Sequence, residues 1–600
     1  MFFYYALNFF CALYSCTVEQ PVLVESRQVD GVLQQHYYLQ TEPFENFQDN
    51  EIPENPIVWT RDGGLRGFQI ETITKRKVLA FQGIPFAQPP VGPLRFREPV
   101  KNLPWKGVRD AIALSPTCIQ VDFFQMYKLS GQEDCLYINV YTHKIPKRGH
   151  NYNLPVLVGI HQGGFFFGST NLLGPAYLMD ENVVLVTMNY RLGALGFLST
   201  GDAVSPGNNG LKDQVLALQW VQENIHHFGG DPNRITIFGE SSGASAVQYH
   251  MLSPLSRGLF QSGISNSGCA FCFWSVNERG VELTQRLANI LHCPTQDSLE
   301  MVECMRNINA STIVGSQVAL LEWASYPVAL FTPVIEPSLP GAFLDDLPEN
   351  IYKKPNGVAR VPWMTGVNTH ELSTNVAGIL LSPEFTKDFN EEWETKVGPA
   401  LMEVDNSTSN DYRATLRAIR QHYMGDDPLT FENRFKALQM LDDRYLKVCG
   451  HKAIRYHAEL ADMPVYAYYL SYRGKYSVVE LLGQKPEDWG VAHIDDMIYL
   501  TNNTAYYPNL SVNDTEYEMS RIMTSMWANF AAYGIPFISK NGEQHHVWQP
   551  VTKQTVSDLR FLDLTLQPKM IPDPFKEGVR FWRSIRLHEA DYYDTRYDSY

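Results

Sequence analysis

Four times between residues 155 and 367, a short run of apolar residues ends at Gly, Asn or His and gives way to a helix-type pattern. Residues 155–160 run into HQGG, 183–188 into NYRLG, 235–238 into GESSG and 362–367 into NTHEL. Strands built from such runs have no polar face to offer to water, so both faces must be covered. A mostly parallel central sheet with helices on both faces supplies that cover, which makes the fold class α/β. The pattern extends over 57–585 with no internal repeat and no break in composition. One large domain is therefore expected rather than several.

The flanks read differently. Residues 1–16 are almost wholly apolar and are followed by polar TVEQ, the pattern of a signal peptide without its basic start. Export follows from that reading, and no second run is long enough for stable membrane insertion. Residues 17–56 are polar and acidic with no sustained period, so an irregular extension is expected. The end, 586–600, is an acidic tail with four tyrosines, read as a solvated terminus or as a sulfated binding tail. A formal charge of −16 over 600 residues disfavours a nucleic-acid partner. Sequons begin at Asn309, Asn406, Asn502, Asn509 and Asn513 and become glycosylation sites if the chain is exported.

The sharpest chemical signal is Gly239-Glu240-Ser241-Ser242-Gly243, between strand-like RITIF and helix-prone ASAVQYHML. In such an elbow the serine sits on a strained turn, and flanking glycines remove side chains that would collide there. Ser241 is the candidate nucleophile. His161-Gln162-Gly163-Gly164 follows the strand-like VLVGI, the context of an oxyanion loop. The amides of Gly163, Gly164 and Ser242 are the candidate donors to a developing oxyanion. Taken alone, the glycine loop could equally be a tight surface turn. No metal-ligand spacing stands out, and the adjacent pairs His226–His227 and His545–His546 are expected to point apart. Neither a metal nor another cofactor is expected.

Six segments in order, AFQGIPFAQPPVGPLRFREP (80–99), EDCLYINVYT (133–142), NYRLGALGFLS (189–199), GNNGLKDQVLALQWVQENIHHFGGDP (207–232), GESSGA (239–244) and GVAHIDDMIYL (490–500), resemble the type-B carboxylesterase and cholinesterase family. Within it the chain resembles the secreted insect-type esterases. The resemblance covers residues 63–585 and implies an α/β-hydrolase fold, hydrolysis of a small-molecule carboxylic ester, and a chain order of serine, acid, histidine. It places the acid at Glu371 in GVNTHEL and the histidine at His493 in GVAHIDD, with Glu240 and Ser267 as supports behind them. It also implies bridges Cys118–Cys135 and Cys293–Cys304. For Cys269 and Cys272 a third bridge or two buried thiols stay open, and Cys449 is expected to be a buried thiol.

Two positions depart from the family pattern: Gln162 replaces a glycine in the oxyanion loop, and Leu372 replaces one after the acid. Both are expected to change pocket contour. Residues 119–134 lack the tryptophan with which cholinesterases hold a quaternary ammonium, which argues against that activity. Juvenile hormone esterases usually read GQSAG at the elbow, and Glu240 with Ser242 argues against that one. The rival from another class is an inactive adhesion or matrix protein of the same fold. An intact Ser241, Glu371 and His493 argues for an enzyme.

Overall fold

The computed structural model describes residues 54–122, 128–147, 151–585 and 587, together with the backbone of 22–29 and 32–38. The leader at 1–16, with Cys11 and Cys16, lies outside the described residues, as does nearly all of the tail at 586–600. The contacts divide the chain into two units, 1–51 and 52–600. In the first, Val22–Val29 and Val32–Tyr38 pair antiparallel, Val29 opposite Val32. This corrects the expectation of an irregular extension at 17–56. The sequence carried the cue, since Asp30-Gly31 separates two β-prone stretches and favours a two-residue hairpin turn.

The second unit is organised around an eleven-stranded sheet. Its strands are β1 (Phe68–Glu71), β2 (Lys77–Pro85), β3 (Tyr137–Thr142), β4 (Leu154–Ile160), β5 (Val184–Met188), β6 (Gly230–Glu240), β7 (Ser262–Asn266), β8 (Trp363–Asn368), β9 (Val465–Leu470), β10 (Arg560–Leu564) and β11 (Lys569–Pro572). Their spatial order is 1-2-3-5-4-6-7-8-9-10-11. Pairs within β5-β4-β6-β7-β8-β9-β10 are parallel, and β1, β2, β3 and β11 extend the edges antiparallel. Every residue of β4, β5, β7 and β8 is buried, so both faces of the central strands are covered. That is the mixed, mostly parallel α/β-hydrolase sheet the apolar runs require.

Helices α1 (Asn209–Asn224), α2 (Ser242–Leu252), α3 (Ser373–Leu381) and α4 (Thr515–Tyr533) follow or cover these strands. Strand β6 begins at Gly230, five residues before its apolar run, and pairs with β4 from Leu154↔Gly230 to Ile160↔Gly239. Between α1 and the loop after β5, Arg191 and Asp213 form a buried fork, Nη2–Oδ1 2.6 Å and Nε–Oδ2 2.8 Å. Asp213 also accepts the Arg191 amide at 3.0 Å, so the conformation of NYRLG is fixed from α1. Burial raises the Asp213 carboxyl, and the guanidinium opposes that.

Candidate active site

The side chains singled out in the sequence lie just past the carboxyl ends of parallel strands, where open α/β sheets place their ligand crevices. Ser241 follows β6 and has φ 58° and ψ −121°, a conformation that costs a non-glycine residue. Its amide donates to Asn266 O at 2.9 Å, so β7 holds the turn. The neighbouring glycines are sterically required. A Cβ on Gly239 would meet the Gly243 carbonyl carbon at 2.4 Å, and one on Gly243 would meet Ile160 O at 2.2 Å. The serine is thus lifted above β4 by backbone contacts that no larger residue permits.

Glu371 follows β8 and is fully buried. Ser267 Oγ donates to its Oε1 at 2.7 Å and the Asn368 amide donates to the same oxygen at 2.6 Å. Its Oε2 accepts from His493 Nδ1 at 2.7 Å. The two loops are zipped together: His493 N donates to Glu371 O at 2.9 Å, and Asn368 Nδ2 donates to Ala492 O at 2.8 Å. A quarter of the His493 side chain stays open, enough for the ring to meet a ligand. It lines one cavity with Ser241, Gly163, Gly164 and Gln162, with an empty volume of about 980 Å³ counting its open mouth. Among the described residues no hydrogen bond joins Ser241 to His493; Nε2 lies 3.3 Å from Glu240 Oε1 instead. Hydrogen bonds of this kind are often long in a ligand-free site and tighten around substrate.

The electrostatics follow from crowding three acids around one imidazole. Burial pushes the Glu240 carboxyl well above the usual range. Neither of its oxygens has a hydrogen bond among the described residues. Burial acts downward on His493, but Glu240, Glu371 and Asp496 outweigh it and lift the imidazole to about 9. Glu240 contributes to that lift only when ionised, and its own upward shift works against ionisation. Glu371, in direct hydrogen bond, is therefore the partner that holds the imidazole proton. Asp496, also raised by burial, is fixed by Asn266 Nδ2 at 2.7 Å.

The loop after β4 has Gly163 at φ 118° and Gly164 at φ 60°. A Cβ on Gly163 would lie 2.0 Å from Phe167 O. No acceptor among the described residues takes the amides of Gly163, Gly164 or Ser242. His161 is buried, its ring stacked on Tyr190 at 4.4 Å with Nδ1 donating to Gln162 O at 2.8 Å, and burial lowers its pKa to about 4. The sequence reading missed Gln120, which clamps this loop: its Oε1 accepts from Gly168 N at 2.7 Å and its Nε2 donates to Gly168 O at 3.0 Å. It also missed Asp496. Its only cue was adjacency to a motif, in GVAHIDD.

Bridges Cys118–Cys135 and Cys293–Cys304 are formed. Cys449 is bonded to Cys272, which corrects its expectation as a free thiol. Cys269 is buried as a thiol, 3.4 Å from Cys272 Sγ, and burial raises its pKa to about 12. These three cysteines are the one group of metal-ligand type found among the described residues, and two of them are spent in the bridge. The rings of His226 and His227 lie 3.9 Å apart, so that pair does not point apart as expected. Asn309, Asn406, Asn509 and Asn513 are exposed, whereas Asn502 is half-buried and its Oδ1 accepts from Ala176 N at 2.8 Å. Among the described residues no helix is long and apolar enough to cross a membrane.

The chain matches the model of the Carboxylesterase family over residues 54–582. It is 38% identical to Esterase E4 of Myzus persicae over 518 residues, 85% of this chain and 92% of that one. It is 36% identical to Venom carboxylesterase-6 of Apis mellifera, over 91% of this chain and 96% of that one. With Juvenile hormone esterase of Tribolium castaneum the identity is 36%, over 86% and 89%. Among solved structures it is similar to juvenile hormone esterase from Manduca sexta with OTFP covalently attached, with a TM-score of 0.77 and 27% identity over 89% of this chain and 99% of that one. The chain therefore belongs to the carboxylesterase family and is a carboxylic-ester hydrolase.

Proposed function

We propose that this chain hydrolyses small carboxylic esters through an acyl-enzyme on Ser241. The observation that carries the reading is the imidazole of His493, held at 2.7 Å by a buried carboxylate and facing the cavity that Ser241 lines. His493 Nε2 takes the Ser241 proton as Oγ attacks the ester carbonyl, and passes it to the departing alkoxide. Water then enters, His493 takes a proton from it, and the acid leaves with Ser241 restored. Glu371 fixes the imidazole tautomer and stabilises the imidazolium, while the amides of Gly163, Gly164 and Ser242 receive the oxyanion. Removing one such donor typically costs about 3 kcal/mol in the transition state.

A rapid-mixing assay with p-nitrophenyl butyrate tests the acyl-enzyme. The account expects a burst of p-nitrophenol approaching one equivalent per Ser241, wherever deacylation is the slower half. Loss of both burst and turnover in Ser241→Ala is expected with it, and unchanged turnover in that variant would overturn the mechanism.

The similarity to two juvenile hormone esterases favours a second reading, hydrolysis of a juvenile-hormone-type ester. The GESSG spelling counts against it. Direct competition of juvenile hormone with p-nitrophenyl butyrate separates the two, since a hormone-directed site gives it the larger kcat/KM. The apolar residues 1–16 and the sequons support secretion with glycans at the exposed asparagines. We do not extend glycosylation to Asn502, which is half-buried with its Oδ1 accepting from Ala176 N at 2.8 Å.

A further inference from the structure

Gln162 stands in the oxyanion loop, next to Gly163, where the family pattern has a glycine. Its side chain is 2% exposed, and neither Oε1 nor Nε2 has a hydrogen-bond partner. The backbone around it is fixed, since Gln162 O accepts from His161 Nδ1 at 2.8 Å and the loop is clamped by Gln120. Gln162 lines the cavity together with Ser241 and His493, and the other lining residues include the apolar Phe166, Trp274 and Leu446. Two other polar lining residues are already paired: Thr374 with Asn375 Oδ1 at 3.4 Å, and Asn375 Nδ2 with Tyr326 at 2.8 Å. A buried primary carboxamide with neither atom paired within the protein is costly, and a ligand that supplies the missing partners offsets that cost.

We propose that Gln162 is a specificity-determining residue that recognises esters bearing neighbouring hydroxyl groups within a few bonds of the scissile carbonyl. The carboxamide presents a donor and an acceptor side by side. A vicinal diol matches both, one hydroxyl accepting from Nε2 and the other donating to Oε1. A lone ether or carbonyl oxygen satisfies Nε2 only, and a hydrocarbon of the same size leaves both atoms unpaired. Sites built to hydrogen-bond a substrate group reject its apolar isostere for this reason. The inference rests on ester hydrolysis at Ser241 and names the substrate class of that site.

The test uses the full chain and two matched ester pairs. Glyceryl monobutyrate is compared with 2-methylbutyl butyrate, which carries a methyl in place of each hydroxyl on the alcohol side. Ethyl 2,3-dihydroxypropanoate is compared with ethyl 2-methylbutanoate, the same exchange on the acyl side. In at least one pair, the diol-to-hydrocarbon ratio of kcat/KM is expected to fall by about tenfold or more in Gln162→Leu, the diol losing rate and the hydrocarbon gaining it. Gln162→Gly is expected to lose the preference as well, which separates recognition from loop shape. Organophosphate labelling of Ser241 in each variant reports an intact site. Ratios equal in wild type and both labelled variants would overturn the inference and leave ester hydrolysis standing. A wild type that turns over none of the four esters and takes no label removes the underlying reading, and this inference falls with it.

Discussion

In the proposed mechanism His493 has to be a neutral base when Ser241 attacks, and the carboxylates behind it push the other way. Its pKa, lifted to about 9 against the opposing effect of burial, means that the active neutral form is lost as pH falls through a value above the ordinary 6.5. The acid limb of the kcat/KM profile is therefore expected above pH 6.5, on the side towards 9, and not below 6.5 as an unperturbed histidine gives. Glu371→Gln removes the hydrogen-bonded anion, so the limb moves to lower pH, and kcat drops by about 10⁴-fold as the imidazole tautomer is lost. A profile that keeps its limb in the variant would show that Glu371 does not govern His493. Ser241, Glu371 and His493 could be singled out because each sits in a short motif of fixed order. Gln120 and Asp496 were not, because their partners lie 48 and 230 residues away along the chain.

At the scale of elements, strand β6, the elbow and helix α2 form one device in which glycine is placed by contact rather than by flexibility. Gly243→Ala puts a methyl 2.2 Å from Ile160 O, so the crossing of α2 over β4 must open. The expected cost is about 1–3 kcal/mol of stability, read from a urea midpoint, with ester turnover falling further than stability does. Gly378, inside α3, has nothing within 4 Å of the same added atom, and Gly378→Ala is expected to raise the midpoint, a gain in stability of about 0.5–1 kcal/mol. Equal effects at the two sites would contradict the packing account. The apolar runs exposed the central strands because buried parallel strands have no polar face to confuse the period. The amino-terminal hairpin escaped the same reading: its strands, such as VESRQV, carry polar residues throughout, and only Asp30-Gly31 marked the turn. The start of β6 at Gly230 escaped too: of its first five residues, GDPNR, only Gly230 pairs with β4, opposite Leu154, and the four after it bulge out before pairing resumes at Ile235.

For the whole molecule, one bridge spans a distance that no local reading reaches. Cys272 and Cys449 are 177 residues apart and join the loop that carries Trp274 to the helix that follows Tyr445, two walls of the same cavity. Trp274 Nε1 donates to Tyr445 O at 2.9 Å beside it. Closing a loop of that length removes unfolded-chain entropy worth about 5 kcal/mol in the simplest model. A peptide map, without reduction, of the protein expressed through a secretory host is expected to yield Cys272 linked to Cys449, Cys269 alkylated only after unfolding, and Asn502 without glycan. Rapid alkylation of Cys449 in the native protein would contradict that arrangement. The account as a whole stands on Ser241 as the nucleophile of the cavity. Its most direct measurement is treatment with a radiolabelled organophosphate followed by peptide mapping: one equivalent on the peptide containing Ser241, with turnover lost in proportion, is the predicted result. A folded protein that loses turnover with the label elsewhere, or that takes no label while hydrolysing esters, would contradict it.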